Sequence, residues 1–159
     1  TGYFHLFVLT PYGYLQIFRS YRCYGFQKVE KEVIDSNCFK VMCEVFGEAC
    51  ALGDSYIMDV HQMRVKCQQG GATQLSPEGW HQDGYDCIAI IGVDRKNIIG
   101  GEALLSVGKT EQPFFKAVID SGTMLIVDDQ HLWHNGRSIQ PIDNNKVAWM
   151  DIMVFTNRK

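Results

Sequence analysis

Two textures of apolar and polar positions divide the chain. From Asn37 to Ala51, apolar residues recur at helical spacing, with Cys38, Met42, Val45, Phe46 and Ala49 forming a stripe and Gly53 following as a stop signal. The pattern predicts a helix that lays one face on a sheet. Ahead of it, Tyr3, Phe4, Phe7, Tyr12, Tyr14, Phe18, Tyr21 and Tyr24 are scattered too evenly to assign to one element. Residues 1–55 therefore read as an aromatic lead-in with helical support.

Beyond Gly53 the texture changes to strands. Tyr56 to Lys66 is β-compatible and is followed by a polar turn at Gln68 to Ala72. Cys87 to Val93 is a short continuous apolar run, the pattern of a strand buried on both faces. Further strands are predicted over Ala103–Val107, Phe114–Ile119, Thr123–Val127 and Val147–Phe155, separated by Gly-Gly, Ser-Gly and Asn-Gly turn signals. Helix first and many short strands afterwards favour a mainly-β sandwich or jelly-roll barrel with flanking helices over a βαβ sheet. The expected organisation is a single domain over 1–159 with its barrel core at 56–156. There is no internal repeat and no low-complexity segment.

Composition narrows this picture without redirecting it. A chain of 159 residues with 46% apolar and 21% charged residues is sized and balanced for one soluble domain. A net charge of -3 offers nothing to attract nucleic acid or an anionic membrane surface. The apolar run at Cys87–Val93 is far too short to span a bilayer, and no charged-then-apolar leader is visible. Thr1 in place of an initiator Met reads as a trimmed chain. Cys23, Cys38, Cys43, Cys50, Cys67 and Cys87 show no C-x-x-C pair and no even rhythm, so free thiols and a cytoplasmic location are expected.

The chemistry concentrates in Pro77-Glu78-Gly79-Trp80-His81-Gln82-Asp83-Gly84-Tyr85-Asp86. In a strand, residues two apart share a face, roughly 7 Å from one another. His81 and Asp83 can then lean toward one point, with Gly84 letting the backbone bend beside them. An imidazole and a carboxylate make two ligands of a facial triad, which leaves coordination positions open. H-x-D alone is a weak signal, since most such tripeptides are surface residues. A third ligand must come from elsewhere. His5 lies in the lead-in, and His61 has only Asp59 as a carboxylate neighbour. His131 and His134 follow the Thr123–Val127 strand, and His134, before Asn135-Gly136, is modestly preferred over His131, which reads as a loop or solvent residue.

Pro77-Glu78-Gly79 leading to His81-Gln82-Asp83-Gly84, then Asp94-Arg95-Lys96-Asn97-Ile98-Ile99-Gly100-Gly101-Glu102, and the His134 segment with its β-rich tail resemble the iron- and 2-oxoglutarate-dependent dioxygenases. His61-Gln62-Met63-Arg64-Val65 is similar to the strand ahead of the metal motif in the bacterial free amino-acid hydroxylase branch that includes L-isoleucine dioxygenase. The resemblance covers about residues 56 to 156. It implies a double-stranded β-helix, the cupin-like form of the jelly roll, with Fe(II) held by His81, Asp83 and His134. It also implies 2-oxoglutarate and O2 as co-substrates, and hydroxylation of a small molecule such as a free amino acid. Gly100, Gly101 and Glu102 match a tight turn and strand, and Trp80, Tyr85 and Trp133 flank the ligands, where packing is as good a reading as substrate contact.

One position departs from the pattern. The family's arginine for the distal carboxylate of 2-oxoglutarate falls at Met150, before Asp151, and methionine cannot pair with a carboxylate. Lys146, Arg137 and Arg64 are the candidate replacements, though each reads more readily as a solvated surface charge. Two competing readings stay open: a cupin-type metalloprotein, against which the absence of H-x-H counts, and a relative that has lost co-substrate binding and catalysis.

Overall fold

The computed structural model describes residues 7–9, 15–16, 29–53, 56–67 and 71–157. Most of the aromatic lead-in, His5 and most of the anticipated Gln68–Ala72 turn lie outside these residues. The described elements run β1 (Phe7–Leu9), β2 (Leu15–Gln16), α1 (Lys31–Asp35), α2 (Asn37–Ala49), β3 (Ile57–Lys66), β4 (Cys87–Lys96), β5 (Ile98–Gly100), β6 (Glu102–Ser106), β7 (Phe115–Val118), β8 (Met124–Asp128), β9 (Trp133–Gly136), β10 (Ile139–Pro141) and β11 (Trp149–Asn157).

A six-stranded sheet has the order β2-β1-β3-β11-β4-β8, and smaller sheets are formed by β7-β6-β9 and β10-β5. All named strand pairs are antiparallel. The fold is the anticipated mainly-β, cupin-like jelly roll with few helices. No helix among the described residues is long and apolar enough to cross a membrane.

Alternation along the central strands sorts side chains onto two faces. Met58 and Val60 of β3, Cys87, Ala89 and Ile91 of β4, and Met153 and Phe155 of β11 pack with Phe39, Cys43 and Phe46 of α2. The residues between them, including Ile88, Ile90, Ile152 and Val154, line a cavity closed on its other side by Ala103 of β6 and His134 of β9. This is why Cys87–Val93 reads as continuously apolar: both of its faces are covered.

The alternation breaks once, with consequences for the cavity. Between β11 and β4 the register passes from Ile152↔Gly92 to Asp151↔Asp94, so Val93 is an extra residue in the ladder. Such a bulge turns every later side chain to the opposite face. Without it Arg95 would share the helix side with Ile91; with it, Arg95 stands opposite Met150, on the cavity side. Gly92 permits the kink, since a β-carbon there would meet the Asp120 carbonyl oxygen at 2.2 Å.

Three expectations are corrected. The buried face of α2 is Phe39, Cys43, Phe46 and Gly47, whereas Val45 is 45% exposed and Cys38 is exposed. Apolar residues surround this helix, so periodicity alone leaves its rotation open; Phe39 against Phe155 and Gly47 against the Tyr56 ring settle it. Asn135-Gly136 is not a turn but continues β9, pairing with Leu104 and Ala103. The cysteines are not all free: Cys50 and Cys87 form a disulfide across 37 residues of sequence. Local spacing could not reveal it, because the C-cap of α2 meets the start of β4 only in the folded chain.

Candidate metal centre and its cavity

His81 and His134 are set side by side by backbone pairing. The His81 N–H donates to the His134 carbonyl at 3.1 Å, and the His134 N–H donates to the His81 carbonyl at 3.0 Å. Their rings meet edge to face with centroids 4.1 Å apart. His134 is further fixed by β9, where it lies opposite Leu105 of β6.

Asp83 reaches the same point by a different route from the one expected. His81 makes an isolated bridge and Gln82-Asp83 is loop, so strand alternation does not aim this carboxylate. Asp129 does. Its carboxylate is fully buried and accepts the backbone N–H groups of Asp83 (3.1 Å), Gly84 (2.8 Å) and Tyr85 (3.0 Å). Gln82 adds donors to the Asp129 and Gln130 carbonyls at 2.8 and 3.0 Å. Gly84, at φ +81°, supplies the left-handed bend that lets three successive N–H groups converge. Asp129 was missed in the sequence because its partners are backbone atoms of a segment 46 residues away.

The result is a tight group. One ligand atom each from His81, Asp83 and His134 all lie within 4.8 Å of one another. Nε2 of His81 and of His134 stand 3.6 and 3.7 Å from the Asp83 carboxylate oxygens. His81 Nδ1 lies 2.9 Å from the Gly79 carbonyl, which can only accept, so that nitrogen carries the proton and Nε2 keeps a lone pair. Burial, and then the neighbouring His81, push the His134 imidazole below its ordinary range, which keeps it neutral near pH 7. Its buried Nε2 makes no well-directed hydrogen bond, although an Asp129 carboxylate oxygen lies 3.2 Å from it. Two imidazoles and a carboxylate converging on one point fit a divalent metal of the iron type. His131, by contrast, is an exposed loop residue paired with Asp128 at 2.9 Å.

The group opens onto a cavity of about 560 Å³ walled by Ile88, Ile90, Met150, Ile152 and Val154, with His61 and Tyr85 also facing it. Among the described residues, no lysine or arginine lines it. The three candidate anchors lie elsewhere. Arg64 is on the helix side of β3, forks onto the Asp151 carboxylate at 2.7 and 2.6 Å, and stacks over Trp149 at 4.0 Å. Arg137 lines an adjoining cleft with Gln74 and Glu102, which shares Ser76, Pro77, Asn135 and Gly136 with the cavity wall. Lys146 is 72% exposed and pairs with Asp143 at 3.0 Å in the turn before β11. Of the flanking aromatics, Tyr85 lines the cavity, while the Trp133 ring lies 5.5 Å from the Lys109 ammonium.

Comparison with known proteins adds the following. A family model described as 2OG-Fe dioxygenase matches residues 17–156. No curated protein sequence matches. Among solved structures, a bsmA homolog from Methylobium petroleophilum PM1 is similar at 24% identity and TM-score 0.72, over 84% of this chain and 56% of that one. IDO from Bacillus thuringiensis is similar at 16% identity and TM-score 0.78, over 99% and 76% of the two chains. The Fe(II)/(alpha)ketoglutarate-dependent dioxygenase TqaL is similar at 16% identity and TM-score 0.71, over 87% and 59%. At these identities the likeness is one of fold, and the chain spans little more than half the length of the bsmA homolog.

Proposed function

The chain belongs to the 2OG-Fe dioxygenase family, and on that premise we propose that His81, Asp83 and His134 hold Fe(II) for the 2-oxoglutarate-dependent oxidation of a C–H bond in a small molecule. The observation that carries this reading is the convergence of the three side chains, each offering a ligand atom within 4.8 Å of the other two. A free amino acid or a derivative is the proposed substrate class. It is supported by the likeness of the 61–65, 77–84 and 94–102 segments to the free amino-acid hydroxylases.

When bound, the iron supplies O2 activation coupled to oxidative decarboxylation of 2-oxoglutarate to succinate and CO2. The chain's own residues set the conditions. His81 is held in one tautomer by Gly79, and Asp83 is held in place by the Asp129 clamp. Ile88, Ile90, Ile119 and Val154 exclude water from the space where a substrate C–H bond would lie. Glu78, 3.2 Å from His81 Nε2 and half exposed, stands at the open side.

Anaerobic addition of Fe(II) and then 2-oxoglutarate should raise a weak visible charge-transfer band, and turnover should release succinate. Asp83→Ala should weaken Fe(II) binding beyond the roughly 10- to 100-fold that losing an outer partner costs, and abolish succinate release. Undiminished iron affinity in that variant would sink the assignment. The missing cation in the cavity lining favours a second reading, a metal-binding barrel that takes no dicarboxylate. It predicts metal uptake without the band.

A further inference from the structure

A dicarboxylate in this cavity needs a cation, and none lines the wall among the described residues. One lies immediately behind it. The Val93 bulge turns Arg95 onto the cavity side, directly across the strand pair from Met150. Its side chain is 15% exposed, a deep position for an arginine. Nη2 donates to the Gly100 carbonyl at 2.6 Å, and Nε faces the exposed Asp120 carboxylate at 3.8 Å. Nη1 is buried and has no partner.

That orphaned nitrogen is separated from the cavity by a residue without a side chain. A β-carbon built on Gly101 would lie 2.8 Å from Ile139 Cγ2, 3.2 Å from Arg95 Nη1 and 3.5 Å from the Met150 sulfur, so these side chains close over the glycine, and both Gly101 and Met150 line the cavity. A guanidinium N–H left without an acceptor in a buried site is costly, and a carboxylate is its strongest partner. We infer that Arg95 holds the distal carboxylate of 2-oxoglutarate, which reaches the unpartnered Nη1 beside Gly101 as the flexible Met150 side chain and the Ile139 methyl give way. The inference rests on the functional reading above and deepens it. The charge absent from position 150 is supplied from the neighbouring strand, through a bulge that re-aims a residue otherwise bound for the helix side.

The test is an anaerobic titration of the Fe(II)-loaded protein with 2-oxoglutarate and, in parallel, with 2-oxopentanoate, which has the same oxoacid head and no distal carboxylate. The unaltered protein should prefer 2-oxoglutarate by roughly 10- to 100-fold, the range of one charge-assisted contact in a partly buried site. Arg95→Gln should lose that preference while its affinities for 2-oxopentanoate and for Fe(II) alone stay unchanged. Adding Met150→Arg to it should restore the preference by returning a guanidinium to the same strand pair. Arg95→Lys, which keeps the charge and loses the fork, should fall between the two and serves where the glutamine variant does not fold. A 2-oxoglutarate preference that survives Arg95→Gln overturns the inference and leaves the functional reading standing. Equal loss of both oxoacids and of iron affinity also overturns it, as the mark of a purely structural arginine. If the unaltered protein binds iron but no 2-oxoglutarate, the functional reading falls and takes the inference with it.

Discussion

The two faces of the β3–β11–β4 sheet are built from alternate residues of the same strands, yet they have opposite characters. Toward α2 the surface is filled and closed: Phe155 meets Phe39 and Phe46 edge to face at 5.8 Å each, and the Tyr56 hydroxyl donates to the Cys43 carbonyl. Toward the barrel interior the same strands border about 560 Å³ of cavity, with buried atoms on Arg95 and Thr156 that make no hydrogen bond. A packed face has nothing left to bind. The interior face keeps unmet hydrogen-bonding capacity, which is what a metal and a polar ligand would use. Strand alternation therefore separates stability from chemistry one residue at a time, and substitutions on adjacent residues should report on different properties.

The largest effect is expected on the helix side. Phe155 is fully buried, and Phe155→Ala should cost about 3–5 kcal/mol of folding stability through lost transfer free energy and the cavity left behind. Denaturant unfolding would measure it. The folded fraction should bind Fe(II) with unaltered affinity, because no metal ligand touches that core. A matching loss of iron affinity would show that the two faces are not separable.

A smaller effect, confined to the interior side, is expected from Asp129. Asp129→Asn keeps the shape but places an amide donor where backbone N–H groups also donate. The Asp83 loop then loses part of its clamp, and Fe(II) affinity should fall by roughly 10- to 100-fold, as for other partners that orient metal ligands. Calorimetric titration with Fe(II) under anaerobic conditions would measure this. Unchanged iron affinity would show that the loop is held without the carboxylate.

The contrast between the faces also explains what could be read from the sequence. The β4 strand was legible because an apolar run covered on both faces leaves a local trace. The grouping of His81 with Asp83 was legible because the two candidate ligands lie within three residues, and the Gly84 bend was legible because only glycine occupies φ +81° cheaply. The face of α2 was not, since helix rotation is decided by partners such as Phe155 that lie far along the chain. Nor were the Cys50–Cys87 bond, the Asp129 clamp and the Val93 bulge, all of which join segments tens of residues apart. Arg64, Arg137 and Lys146 are the cations the sequence offers near the metal motif, while simple alternation would put Arg95 with Ile91, on the packed side. A single inserted residue reverses that assignment, and no local pattern announces it.

Lys146 sharpens the comparison from the outside, with the smallest expected effect. It precedes β11, four residues ahead of Met150, and would serve as an anchor if its side chain reached the barrel interior. Instead its ammonium lies in solvent beside Asp143, whose carboxyl is held below its usual range chiefly by the Asn145 backbone N–H and only then by Lys146. An exposed pair of this kind is screened by water and contributes little. Lys146→Ala should therefore leave the unfolding midpoint in place and change 2-oxoglutarate affinity by no more than about twofold. Both are readable from the same anaerobic titration and a melting curve. A tenfold loss of 2-oxoglutarate affinity with stability intact would mean that the Asp143–Lys146 turn folds over the cavity when the ligand arrives. The anchoring charge would then come from the turn, and the bulge at Val93 would be left without a function in binding.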